Sequence, residues 1–247
     1  MDYGSYLKLG QLLALQQPQS KPEQPDELLF IVVHQSSELW FKVILRELDT
    51  LVSHLETNEI TGAIFVTQRL NSLVQIVTDQ LSALDTLPPQ RFAKFRGDLG
   101  SSSGSQSAQF RAIEAASGLR DPAFLHAIAE GGEPPELVTR WLARPTLQTL
   151  FERALAANGE TAESIYARER SSPLFLLAEE LLEYDQGFAR WRFLHVQLVE
   201  RIIGPATSGT GGTLGAKYLA RTVSMRFFPA LWEVRSRVFG GAGSAGA

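Results

Sequence analysis

Residues 26–57 read DELLFIVVHQSSELWFKVILRELDTLVSHLET, and the spacing of their apolar side chains decides the fold class. Phe30, Phe41, Ile44, Leu45, Leu48, Val52 and Leu55 return every three or four positions, the period of an amphipathic helix. Asp26 follows Pro25 and is the predicted N-cap. One feature interrupts the oily run 28–41: a titratable imidazole, His34, with Glu38 and Trp40 close behind it.

The same period continues outward from this stretch. A second helix is predicted over 60–84, ended by TLPPQRF at 86–92, because proline removes a donor and clashes with the preceding turn. GDLGSSSGSQS at 97–107 is too rich in Gly and Ser for a helix interior and reads as a loop. Shorter helices are expected over 108–117, 122–129 and 135–155, the last with a break at Pro145. A long amphipathic helix over 173–203 leads into the glycine-rich loop GPATSGTGGTLG at 204–215. A final helix over 216–238 precedes a flexible tail at 239–247. Long helices without strand alternation predict an all-α fold. With no internal repeat or linker, a single helical-bundle domain over 1–238 is expected.

Composition narrows the chemistry. The 247 residues are 44% hydrophobic and 20% charged, an ordinary globular balance. A net charge of −4 argues against a nucleic-acid partner. No apolar run approaches the roughly 20 residues that span a bilayer, and the start lacks a secretory pattern, so a cytoplasmic protein without a membrane partner is expected. With no cysteine, thiolate nucleophiles, disulfides and Cys-ligated metals are excluded. Any metal must use one of four histidines, or oxygen donors.

Two of those histidines stand on apolar helix faces. His34 lies one turn after Phe30, and Ser36, Ser37 and Glu38 enlarge the polar insert beyond what one satisfied imidazole requires. That pattern fits a buried ligand pocket; a hydrogen-bonded core histidine is the plain alternative. His195 sits in the stripe Phe188, Trp191, His195, Leu198, Val199, Ile202. It could be a neutral axial ligand of haem iron or a structural core histidine. His54 and His126 read as surface or partly buried residues. GTGGTLGAK lacks phosphate-loop spacing and follows a helix, so a flap presenting Thr210, or a plain connector, is expected there. Arg96, before a serine-rich loop, could clamp a carboxylate bidentately or be a surface charge. No Ser-His-Asp set and no HExxH motif supports hydrolysis.

Six stretches in order carry a resemblance: YGSYLKLGQLLALQQP, DELLFIVVHQSSELWFKVILREL, FRGDLGSSSGSQSAQFRAIE, WRFLHVQLVERIIG, GTGGTLGAKYL and FFPALWEVR. Together they resemble the tryptophan 2,3-dioxygenase family over most of the chain, apart from a middle region around 120–160. The resemblance implies haem b and insertion of both atoms of dioxygen at the indole C2–C3 bond of L-tryptophan, giving N-formylkynurenine. It implies that His195 is the axial ligand of haem iron and that His34 faces the indole N–H. Phe30 would line the indole pocket, Arg96 would hold the substrate carboxylate, Thr210 would contact its amino-acid end, and Ser103 would lie near the haem. Residues 1–20 would reach a neighbouring subunit, with Tyr3, Tyr6 and Leu7 completing its site in a homotetramer. The chain departs from the family pattern at QSSE after His34, at Leu194 and at Ser105. A second reading is therefore a related monooxygenase that converts L-tryptophan or a substituted analogue to an oxindole. From other classes come a haem-binding module without catalysis and a purely structural helical protein.

Overall fold

The computed structural model describes residues 1–102, 104–120, 125–126, 133–168, 172–207 and 216–240. Among the described residues every regular element is helical. The elements are Tyr3–Leu7 (α1), Leu9–Leu12 (α2), Pro25–Glu56 (α3), Ile60–Asp79 (α4), Leu81–Leu84 (α5), Pro89–Phe95 (α6), Ala108–Ser117 (α7), Glu136–Leu142 (α8), Leu147–Ala157 (α9), Ala162–Ala167 (α10), Pro173–Ile203 (α11), Ala216–Thr222 (α12) and Pro229–Phe239 (α13).

Local chemistry sets these boundaries. Ser172 caps α11 by accepting from the Phe175 amide, Pro173 takes the first helical position, and Gly204 at φ +83° ends the helix. Proline at the start and glycine past the end is the expected asymmetry. Ser107 caps α7 in the same way, and Gly118 at φ +124° stops it. In α3 the cap is Gln24, not Asp26, with Pro25 first inside and Asp26 in the first turn, so the cap lies two residues before the predicted one.

Two predicted helices are divided. The 60–84 stretch breaks at Gln80, whose side chain turns back to Ser36 and Ser37 on α3 at 2.8 and 2.6 Å. The 216–238 stretch separates into α12 and α13. Phe227 and Phe228 leave the helix to enter the core, and Pro229, with no amide hydrogen, starts a new one. The break expected at Pro145 is present between α8 and α9. Of the helix expected over 122–129 only Leu125 and His126 are described; residues 241–247 of the expected tail lie outside the described residues.

α11 lies along α4, and α4 along α3. Their apolar faces, with α7, α8, α9 and α13, enclose a large core in which Ile44, Leu48, Leu51, Leu70, Trp141, Leu181 and Phe188 are buried. A smaller core gathers Val33, Leu81, Leu84, Leu87, Phe92, Phe95 and Leu198. Trp191 packs against both. One sequence expectation is corrected: α3 is long and apolar enough, by length and composition alone, to cross a membrane. Its second half is core: Ile44, Leu45, Leu48, Leu51, Val52 and Leu55 are all buried.

Before α3 the chain is held by a carboxylate. Glu27, 1% exposed, accepts from the amides of Gln19 and Ser20 at 2.8 and 3.0 Å. Burial pushes its pKa up, but those hydrogen bonds together outweigh it and bring the carboxyl below its ordinary value. A depressed folded pKa stabilises fully above the unfolded carboxylate value of about 4.3, and the contribution fades as pH falls through the lower folded value. Acidification below about pH 4 is therefore expected to release residues 15–20 first, seen as faster amide exchange there, while Glu27→Gln flattens that dependence. For the core, Leu48→Ala should cost about 2–5 kcal/mol in urea unfolding, because Leu48 is fully buried; a loss under 1 kcal/mol would contradict the packing described.

Candidate functional site

The site begins with the spacing of four residues on α3. Phe30 and His34 are one turn apart, their ring centroids 4.1 Å from each other. His34 Nδ1 lies 2.7 Å from the Phe30 carbonyl oxygen. A carbonyl only accepts, so Nδ1 carries the hydrogen, and the neutral ring keeps its lone pair on Nε2. Desolvation lowers the His34 pKa, outweighing the Phe30 carbonyl and Glu38, both of which favour the cation. Yet much of the ring surface is open. Both facts hold if the ring lines a recess: protein surrounds it, and one side faces free space.

His195 comes to the same recess from α11. Burial first, and then the nearness of His34, pull its pKa down to about 4. Its ring is half-buried, 5.2 Å from that of Trp191, and has no hydrogen bond to any described residue. A neutral imidazole with both nitrogens unused by the described residues is suited to bind a metal. Among the described residues no group of three His, Asp or Glu could cage a bare metal ion. One imidazole suits an iron whose other ligands arrive with it in a macrocycle, so the donor set fits haem.

Phe30 belongs to an aromatic cluster with Phe92 and Phe95, at 5.7 and 5.8 Å. Phe95 is the last residue of α6, and Arg96 opens the 3₁₀ turn Arg96–Leu99 directly after it. The cluster thus brings Arg96, half-buried, to the Phe30 side of the fold. Tyr3, Tyr6 and Leu7 are not brought to the histidines of their own chain; all three are exposed, on an α1 that packs chiefly with α2. Ser103 and Thr210 lie outside the described residues. His54 is partly buried and His126 exposed, as the sequence reading expected.

The polar insert after His34 is engaged by neighbouring helices. Ser36 and Ser37 engage Gln80, and Glu38 accepts from Gln109 of α7 at 2.8 Å. These side chains clamp α3 to its neighbours. Two shallow clefts, at Glu133–Ala143 and beside Leu55 and Leu150, contain neither histidine; they are open surface hollows. Sequence reasoning missed a buried group behind His195: Glu114 on α7 with Arg192 on α11, 3.1 Å apart. The signal was there, a charge at Glu114 and another at Arg192 on otherwise apolar helix faces.

The family profile described as tryptophan 2,3-dioxygenase matches residues 1–126 and 148–238. A protein of that name from Herpetosiphon aurantiacus is 40% identical, over 96% of this chain and 98% of its own length. One from Kineococcus radiotolerans is 38% identical, over 96% and 91%, and one from Saccharopolyspora erythraea 37%, over 96% and 93%. The profile's gap at 127–147 falls inside the middle region where the resemblance was weakest. Profile and relatives cover the helices that carry both histidines, and the chain belongs to the tryptophan 2,3-dioxygenase family.

Proposed function

We propose that this chain opens the indole ring of L-tryptophan with dioxygen, giving N-formylkynurenine in a haem-dependent reaction. The observation that carries this is the pair of neutral imidazoles, His34 and His195, brought to one recess from two helices. Haem b, when bound, supplies the redox chemistry by which both atoms of dioxygen enter the product. The chain's residues bind, orient and exclude water. His195 would hold the iron through its free ring nitrogen. His34, with Nδ1 committed to Phe30, offers Nε2 to accept from the indole N–H. Phe30 supplies a flat apolar wall, and Arg96 pairs with the amino acid's carboxylate in a charge-assisted, bidentate geometry. By the family resemblance, Ser103 would lie near the haem and Thr210 would meet the amino-acid end of the substrate.

The family supports further assignments. Residues 1–238 form one domain, whose segment 1–20 extends to a neighbour. Tyr3, Tyr6 and Leu7, exposed in the single chain, would complete that neighbour's site in a homotetramer. A cytoplasmic location, without nucleic-acid or membrane partners, accords with the charge and with the family. The oxindole alternative finds no support among the relatives, all of which carry the dioxygenase name.

Reduced, haem-loaded protein given L-tryptophan under isotopic dioxygen should yield product with two labelled atoms; a single labelled atom would establish the oxindole reaction instead. His195→Ala should abolish haem absorption while leaving far-UV circular dichroism intact, and a variant that keeps the parent's haem spectrum would remove the ligand assignment. Arg96→Ala should raise KM by about 10- to 100-fold, the equivalent of about 1.5–3 kcal/mol of charge-assisted hydrogen bonding. An unaltered KM for L-tryptophan would dispose of the clamp.

A further inference from the structure

Behind His195 lies a charged group that the roles above leave unused. Glu114 and Arg192 have side chains 1% and 2% exposed. Arg192 Nη2 donates to Glu114 Oε1 at 3.1 Å, and Arg111 Nη1 donates to Oε2 at 2.7 Å, so both carboxylate oxygens are engaged. Arg192 Nη1 reaches the Met225 carbonyl at 3.4 Å, and the guanidinium lies 5.0 Å from the Phe227 ring centre. Its Nε has no hydrogen-bond partner among the described residues.

Such a group is an uneconomical way to gain stability. Removing two charges from water costs about what their attraction returns, and apolar replacements of similar volume are often neutral or better. What a buried pair does supply is register. Sliding α11 by one residue moves each side chain about 1.5 Å along the axis and about 100° around it, which would strand a buried charge without its partner. The contacts flanking the pair are less selective: Phe110 meets Trp191 at 4.9 Å and Phe188 at 6.2 Å, aromatic packing that tolerates small shifts. Other polar contacts lie two turns toward the start of α11: Ser117 to Tyr184 at 2.9 Å, and Asp185, which accepts from the Phe228 amide and Trp232 Nε1 at 3.2 and 2.9 Å.

Arg192 stands one turn before His195 on α11. Glu114 belongs to the helix that follows the serine-rich loop, and Met225 and Phe227 follow α12. The charged group therefore joins α11 to α7 and to the segment after α12. We propose that Glu114 and Arg192 are positioning residues, whose pairing fixes the rotation and height of α11 and so aims the His195 imidazole at haem iron. This rests on the reading of His195 as the iron ligand.

The test uses the haem-loaded protein and two variants, Glu114→Gln and the double variant Glu114→Met/Arg192→Met. Three quantities are read: the thermal midpoint of unfolding, the rate of haem transfer to excess apomyoglobin, and the iron–histidine stretching band of the ferrous protein. The double variant should keep a midpoint at or above the parent's, while haem transfer accelerates roughly 10- to 100-fold, the range for outer partners of metal ligands, and the band broadens or shifts. Glu114→Gln should move haem transfer and the band in the same direction. A folded variant with parental haem transfer and an unchanged band overturns the proposal. So does haem loss that merely follows a falling midpoint in both variants, or failure of both to fold, since either makes the pair structural. His195→Gly separates the two failures: a band that survives it overturns the ligand assignment itself, and the pair's role with it.

Discussion

The packing of α4 between α3 and α11 is the constraint on which the site depends. Both histidine helices pack along it, α11 on one side and α3 on the other. Leu70, Val74 and Val77 fill the seam, and Gly187 on α11 permits the approach: a Cβ there would sit 3.0 Å from Val74 Cγ1. Fully burying one such aliphatic side chain contributes about 1.5–3 kcal/mol, as an upper bound. The exposed Arg69–Glu47 pair on the same helices contributes about 0–1 kcal/mol. Apolar packing wins this comparison, and that surface pair decorates an arrangement that the core has already set.

That arrangement then governs proton chemistry. A pKa near 4 leaves the His195 ring almost wholly neutral at pH 7, and a cation could not donate a lone pair to iron. His34 is kept neutral by the same desolvation, with its tautomer chosen by a carbonyl of its own helix. Proximity reinforces the effect, since a charge on His34 would further disfavour one on His195. Two neighbouring imidazoles are thus suited to different tasks: one has no hydrogen-bond partner among the described residues, and the other has its Nδ1 committed to a carbonyl.

The fold was legible in the sequence wherever a long periodic face met clear stop signals. α7 and α11 carry a serine cap at one end and glycine at the other, and their limits agree with the periodicity. The 216–238 stretch was misread because nothing local announces that Phe227 and Phe228 will be drawn into the core; only tertiary burial turns the chain there. The same gap separates motif from meaning at the site. His34 and His195 stood out as polar points on apolar faces, but Ser36, Ser37 and Glu38 looked like pocket lining until Gln80 and Gln109 were found opposite them. Those partners lie more than forty residues away, beyond the reach of any helical period. Arg192 and Glu114 broke the apolar pattern just as visibly, and a charge on a buried face calls for a partner before it calls for a function.

The first half of α3 poses the remaining physical question. Leu28, Val32, Leu39 and Val43 form an exposed apolar stripe, which is why the helix passes a length-and-composition test for a membrane span. Its other faces fit lipid poorly. His34, Gln35, Ser36, Ser37 and Glu38 follow one another without a break, and polar side chains in hydrocarbon are costly unless protein surrounds them. Here protein does surround them: Gln35 bonds Gln16 and the Leu15 carbonyl, Ser36 and Ser37 bond Gln80, and Glu38 bonds Gln109. The segment before the helix is tied down by Glu27, while α1 and α2 ahead of it bury nothing. A helix with protein-satisfied polar groups, an open apolar stripe and an anchored but unburied arm is better matched to further protein than to lipid. The proposed homotetramer, in which such arms cross between subunits, meets that requirement by covering the apolar stripe with protein.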